Sequence, residues 1–268
     1  MVEQPPSDGR GASALPLSAG VSRLDGRFGY LAHVPRDASR PLQTLVVIHG
    51  SDFEHEAMCR YFAALAEEAG CLVLAPLFAP SGSVNPDPDG FKFLRSRHAE
   101  YDRVLLDMVA GVSERFACAR ERFCLFGFSG GAQFAHRFLY VHPTRLHAVS
   151  IAAPGMVTLI DPGRPAWAGT QGLSALCGND LVLPEVQRVN VQLLVGSEDA
   201  QPHVGGAGQE LYNHAGRNRV ERLRTLRTNY QHHGIPVSHH EVPGAAHELA
   251  PLAAAAVPFL HRQLTALR

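Results

Sequence analysis

Short apolar runs alternate along the chain with longer stretches of helical periodicity. Apolar runs at residues 28–33, 45–49, 72–75, 123–126, 148–152, 191–195 and 238–242 predict strands. Periodic stretches at 56–69, 100–116, 132–141, 218–231 and 247–266 predict helices. In the last of these, Pro251 fits a first turn, whereas Pro258 should kink the helix. Strands separated by helices in this way predict an α/β fold: a mostly parallel central sheet flanked by helices.

Two stretches interrupt the alternation. Residues 80–90 form a turn-rich run of Pro, Ser, Gly, Asn and Asp. Residues 154–190 hold Pro154, Gly155, Pro162, Gly163, Pro165, Gly169, Gly172, Gly178 and Pro184 with little periodicity. A non-periodic stretch of that length inside a domain is read as a small cap or lid insertion. The first 20 residues are polar and rich in Pro, Gly and Ser, and are expected to be a disordered tail. Residues 21–268 then form a single domain.

Composition narrows the possible partners. The chain has 268 residues, 46% of them hydrophobic, enough for a sizeable core. Lys and Arg number 24 against 25 Asp and Glu, so no basic footprint for nucleic acid is present. No apolar run approaches the roughly 20 residues needed to span a bilayer. The N-terminus has neither the basic start nor the apolar core of a secretory signal. Five cysteines, an odd count without a CxxC pair, sit mostly within apolar runs. Together these features predict a cytoplasmic protein acting on a small molecule, without nucleic acid or membrane. They leave the oligomeric state open.

The chemistry centres on Gly127-Phe128-Ser129-Gly130-Gly131. This G-x-S-x-G run lies between a predicted strand and a predicted helix, the setting in which the serine occupies a sharp turn. Gly127 and Gly131 leave room where strand and helix approach, and the helix N-terminus offers N–H groups to a developing oxyanion. Ser129 is therefore the candidate nucleophile. A serine needs a neighbouring imidazole to take its proton. Of the 15 histidines, His247 follows a strand end and a small-residue loop and opens the last helix. His239 and His240 lie within a strand, and His261 lies far along the helix. Pro251 rules out a His-Glu-x-x-His zinc motif starting at His247, and no metal or cofactor is expected.

The acid should follow the preceding strand, which ends Val195-Gly196-Ser197-Glu198-Asp199. Asp199 is preferred, with Glu198 as the alternative. The backbone N–H of Gly130 is one expected oxyanion donor. The loop after His49-Gly50, through Ser51 or Asp52, is the expected source of the second. His49 itself is read as a residue that fixes this loop by hydrogen bonds. Phe53, Phe78, Phe128, Met156 and Trp167 are candidate pocket walls, and Asp52, Phe53 and Trp167 are taken as substrate-binding. The basic run Arg217-Asn218-Arg219-Val220-Glu221-Arg222 reads as a solvated helix start with local Arg–Glu pairs, with an anion-binding arm as the alternative.

The residues His49-Gly50, Gly127–Gly131, Asp199 and His247, in this order, resemble the α/β-hydrolase superfamily from about residue 27 onward. The runs Gly-Phe-Ser-Gly-Gly-Ala-Gln-Phe and Val-Gly-Ser-Glu-Asp, with residues 218–222, look most like bacterial poly(3-hydroxybutyrate) depolymerase-like and dienelactone-hydrolase-like serine esterases. The resemblance implies ester or thioester hydrolysis through an acyl-enzyme, without cofactor. Dienelactone hydrolases proper carry Cys at the nucleophile position, where this chain has Ser129. The secreted depolymerases carry signal peptides and binding modules, so a polymer outside the cell is not the expected substrate. Two further readings stand beside hydrolysis: an acyltransferase or tailoring thioesterase, and a non-catalytic binding protein on the same fold.

Overall fold

A computed structural model describes residues 17–39, 41–79, 87–119, 121–202 and 209–267. Eight strands form one sheet in the order β1-β2-β4-β3-β5-β6-β7-β8. They are β1 (Ser18–Val21), β2 (Gly29–His33), β3 (Gln43–Ile48), β4 (Cys71–Pro76), β5 (Phe123–Phe128), β6 (Leu146–Ala152), β7 (Asn190–Gly196) and β8 (Val237–Val242). Strand β2 runs antiparallel to both β1 and β4, and every other pairing is parallel. All seven predicted strands are present within a few residues. The centre of the sheet is buried on both faces, with every residue of β4 and β5 inaccessible, which is why these strands read as unbroken apolar runs. Strand β8 lies at the edge and alternates between half-buried and exposed positions.

The helices are α1 (His55–Tyr61), α2 (Ala63–Ala69), α3 (Tyr101–Phe116), α4 (Gly130–Val141), α5 (Leu173–Cys177), α6 (Leu183–Val186), α7 (Gln209–Asn213), α8 (Arg219–His232) and α9 (Leu249–Thr265). The single helix expected over 56–69 is instead two, meeting at Phe62. That residue leaves helical geometry (φ −98°, ψ 3°) and buries its ring 4.8 Å from Phe126 of β5. Pro258 lies inside α9, which continues to Thr265. A proline there costs about 3 kcal/mol. Burial of Leu252, Phe259, Leu260 and Leu264, at about 1.5–3 kcal/mol each, outweighs it.

Residues 154–190 connect β6 to β7 and carry α5 and α6. They are anchored rather than loose. Thr158 N–H donates to the buried His136 ring (2.9 Å), and Tyr140 Oη–H donates to Thr158 O (2.7 Å). Ile160 exchanges hydrogen bonds with the Asn229 side chain at 2.8 and 3.1 Å. The expected tail over residues 1–20 needs correction at its end. Ser18–Gly20 belong to β1 and pair with β2, and residues 1–16 lie outside the described part. Residues 80–86 of the turn-rich run also lie outside it. Among the described residues, no helix is long and apolar enough to cross a membrane.

Candidate active site

The turn between β5 and α4 is built by close approach. A Cβ on Gly127 would collide with the carbonyl of Gly131, and one on Gly131 would collide with the carbonyls of Ile48 and His49. Only glycine fits at either point. Ser129 between them holds φ 54° and ψ −109°, a conformation that is costly for a residue with a Cβ. Its N–H is fixed on Ala152 O of β6 at 2.9 Å. Such strain persists where the surroundings over-determine it, and it lifts the side chain clear of the strand end.

A second pair of loops is joined at the ends of β7 and β8. Ser197 N–H donates to Val242 O and Glu198 N–H to Ala245 O, both at 2.9 Å, and Gly244 N–H donates to Ser197 Oγ at 2.9 Å. Gly196 allows this contact, since a Cβ there would strike the carbonyls of Ala245 and Ala246. The result is one continuous line of hydrogen bonds. His247 Nδ1–H donates to Asp199 Oδ2 at 2.8 Å, and His247 Nε2 accepts from Ser129 Oγ–H at 3.0 Å. Phe128 stacks on the imidazole with ring centroids 4.9 Å apart and 25° between planes.

Asp199 is 5% exposed, whereas Glu198 is exposed. Burial pushes the Asp199 carboxyl upward, but the hydrogen bond with His247 and the nearby Arg219 charge outweigh it and hold the group below its usual range. Asp199 therefore stays ionised near neutral pH.

The loop after β3 sits against the Ser129 turn. Gly130 has Ser51 Oγ, the Phe91 ring and the Lys92 side chain within 3.0–3.2 Å of where its Cβ would lie. Ser51 thus stands beside Gly130, the first residue of α4. His49 is fully buried. Its Nδ1–H donates to Gly50 O (2.6 Å) and its Nε2 accepts from Phe78 N–H (3.0 Å). Burial lowers its pKa to about 4, so it is the neutral ring this bonding pattern requires. Asp52 is exposed, and its Oδ1 accepts from Glu54 N–H at 3.4 Å. Phe53 is half-buried, with its ring 5.1 Å from His49 and 6.0 Å from Phe91.

Trp167 is half-buried and packs on Phe93 at 5.5 Å. The guanidinium of the buried Arg137 lies 4.6 Å from the Phe93 ring and 5.2 Å from that of Trp167. Arg137 also donates to Lys92 O at 2.5 Å, tying the turn at Gly90–Phe93 to α4. Two of the proposed pocket walls are core instead: Phe78 and Met156 are wholly inaccessible.

The basic run also departs from expectation. Arg219 points inward to Asp199, and Arg222 is fully buried with its guanidinium on Gly155 O, Gly216 O and Asn213 Oδ1. Glu221 caps the helix start, accepting from Arg217 N–H at 2.8 Å. Phe91 and Lys92 were not among the expected residues, and Arg219 was expected only as part of the basic run, not as a partner of Asp199. The apolar-flanked Lys in Phe91-Lys92-Phe93 was the one available signal for the first two.

No protein-family model matches the sequence, and no curated protein matches it. Solved structures do. A poly(3-hydroxybutyrate) depolymerase from Bordetella parapertussis superposes with a TM-score of 0.73 at 20% identity, over 91% of this chain and 89% of that one. Poly(aspartic acid) hydrolase-1 from Sphingomonas sp. KT-1 gives 0.72 at 16% identity, over 87% and 93%. An S-formylglutathione hydrolase from Agrobacterium tumefaciens gives 0.66 at 17% identity, over 94% and 96%. Together with the strand order and the strand–serine–helix turn, these likenesses establish that the chain has the α/β-hydrolase fold.

Proposed function

We propose that the protein is a serine hydrolase that cleaves a small or medium carboxylic ester or thioester through an acyl-enzyme. The observation that carries this reading is the line from Asp199 through His247 to Ser129, with contacts of 2.8 and 3.0 Å. In the first half-reaction Ser129 Oγ attacks the carbonyl carbon while His247 Nε2 takes its proton. The negative charge passes to the carbonyl oxygen, held by the Gly130 N–H and a donor from the Ser51 loop. Collapse breaks the bond to the alcohol or thiol, which leaves with the proton from His247. In the second half-reaction His247 deprotonates water, which attacks the acyl carbon and releases the acid and Ser129. Asp199 keeps Nδ1 protonated so that Nε2 faces the serine.

Asp52, Phe53 and Trp167 stand as the substrate-contacting residues of this reading. Structural neighbours named as a depolymerase, an S-formylglutathione hydrolase and ferulic acid esterases support the ester or thioester class. A cytoplasmic site of action rests on five free, buried cysteines, which suit a reducing compartment.

The test is a panel of p-nitrophenyl esters of increasing acyl length alongside acyl-thioesters. Turnover is expected, with a burst of p-nitrophenolate up to one equivalent of enzyme where deacylation is slow. No turnover of any member would contradict the proposal. Adding an alcohol or amine during the burst separates hydrolysis from acyl transfer, since a transferase diverts most of the acyl group to the added nucleophile.

A further inference from the structure

A carboxylate that orients an imidazole must itself be kept from rotating. Asp199 gives Oδ2 to His247, which leaves Oδ1 in a place almost closed to water. Arg219 fills that gap: its Nη1–H donates to Oδ1 at 3.1 Å, with the two side chains 16% and 4% exposed. The arginine is the first residue of α8, and this helix start is held firmly. Asn218 Oδ1 accepts from Glu221 N–H at 2.9 Å, and the Glu221 carboxylate accepts from Arg217 N–H at 2.8 Å. One turn on, Arg222 is buried among backbone carbonyls.

Building on the hydrolase reading above, we propose that Arg219 is a positioning residue: it clamps the second oxygen of Asp199 and balances the charge that His247 experiences. The carboxylate is faced by His247 from the β8–α9 loop and by Arg219 from α8. His247 is faced by Asp199, Ser129 and the uncharged Phe128 ring, while Glu198 and Glu248 are exposed to solvent. With Arg219 present, the Asp199–Arg219 pair is close to neutral. Removing it leaves the Asp199 carboxylate uncompensated beside the ring, and an uncompensated negative charge favours the protonated form of a neighbouring base.

The sign follows. Loss of the arginine charge moves the acidic limb of the kcat/KM–pH profile to higher pH, by about one unit for a charge a few ångströms beyond the carboxylate. Profiles are measured for wild type, R219M, R219Q and R219K, each checked for folding by circular dichroism. Met keeps the buried stem and Gln keeps a polar end, so the two neutral variants probe the same loss in different ways. The limb is expected to move upward in both and to return towards the wild-type position in R219K. A limb unmoved in the neutral variants, or displaced equally in R219K, would overturn the proposal even if the plateau fell. Labelling of wild-type Ser129 by a fluorophosphonate in parallel keeps the two claims apart. Labelling with an unmoved limb defeats only the role of Arg219, whereas no labelling defeats the hydrolase reading.

Discussion

Replacing His247 with Ala should abolish turnover, lowering kcat by roughly 10⁴–10⁶-fold while leaving KM little changed. His247 Nε2 is the hydrogen-bond partner of Ser129 Oγ, at 3.0 Å. Without a base the hydroxyl remains protonated and attacks poorly. KM is spared because the imidazole meets the serine proton rather than the ground-state substrate. The vacated space lies beside Phe128, whose ring stacks on the imidazole. Added free imidazole should therefore restore part of the rate. Initial rates with a p-nitrophenyl ester, with and without imidazole, provide the check. A loss of less than tenfold would place the base elsewhere.

The next largest effect is expected at the acid, where two neighbouring carboxylates give opposite results. Asp199→Asn should cost about 10⁴-fold in kcat. Its amide would present N–H to His247 Nδ1 if it took the Oδ2 position, favouring the tautomer whose Nε2 bears the proton and cannot accept from Ser129. The amide also leaves Arg219 without its ionic partner. Glu198→Gln should leave the rate unchanged, because that side chain is exposed and only its backbone N–H binds the His247 loop. Each variant is checked for folding by circular dichroism before rates are compared at 25 °C. If Glu198→Gln were the damaging change, the acid would have to be reassigned.

The strands were legible because burial is written into composition. Leu45–Ile48, Cys71–Ala75 and Phe123–Phe126 are inaccessible on both faces of the sheet and therefore appear as unbroken apolar runs. Strand β1 was not legible. Ser18-Ala19-Gly20-Val21 lies at the sheet edge, is half-exposed, and carries no apolar run. The break at Phe62 was hidden for a different reason: helical periodicity continues through it, and only the ring's contact with Phe126 shows why the chain turns.

The three side chains that the structure joins in one hydrogen-bonded line, Ser129, Asp199 and His247, lie where a strained turn and two strand-end loops leave local signatures in Gly127–Gly131, Gly196–Asp199 and the residues before His247. Arg219 left none. Its partner lies 20 positions earlier, and in sequence it is one arginine in a basic run. Phe91 and Lys92 lie against Gly130 beside Ser129, where Arg137 ties their segment to α4. Contacts of this kind depend on the assembled sheet and cannot be read from local spacing.

The most direct test of the central claim is covalent. Wild-type protein and Ser129→Ala are incubated with a fluorophosphonate probe, digested, and mapped by mass spectrometry. One stoichiometric adduct on Ser129 is expected in the wild type, none in Ser129→Ala, and greatly slowed labelling in His247→Ala. No adduct on the folded wild type, or an adduct on another residue that persists in Ser129→Ala, would contradict it.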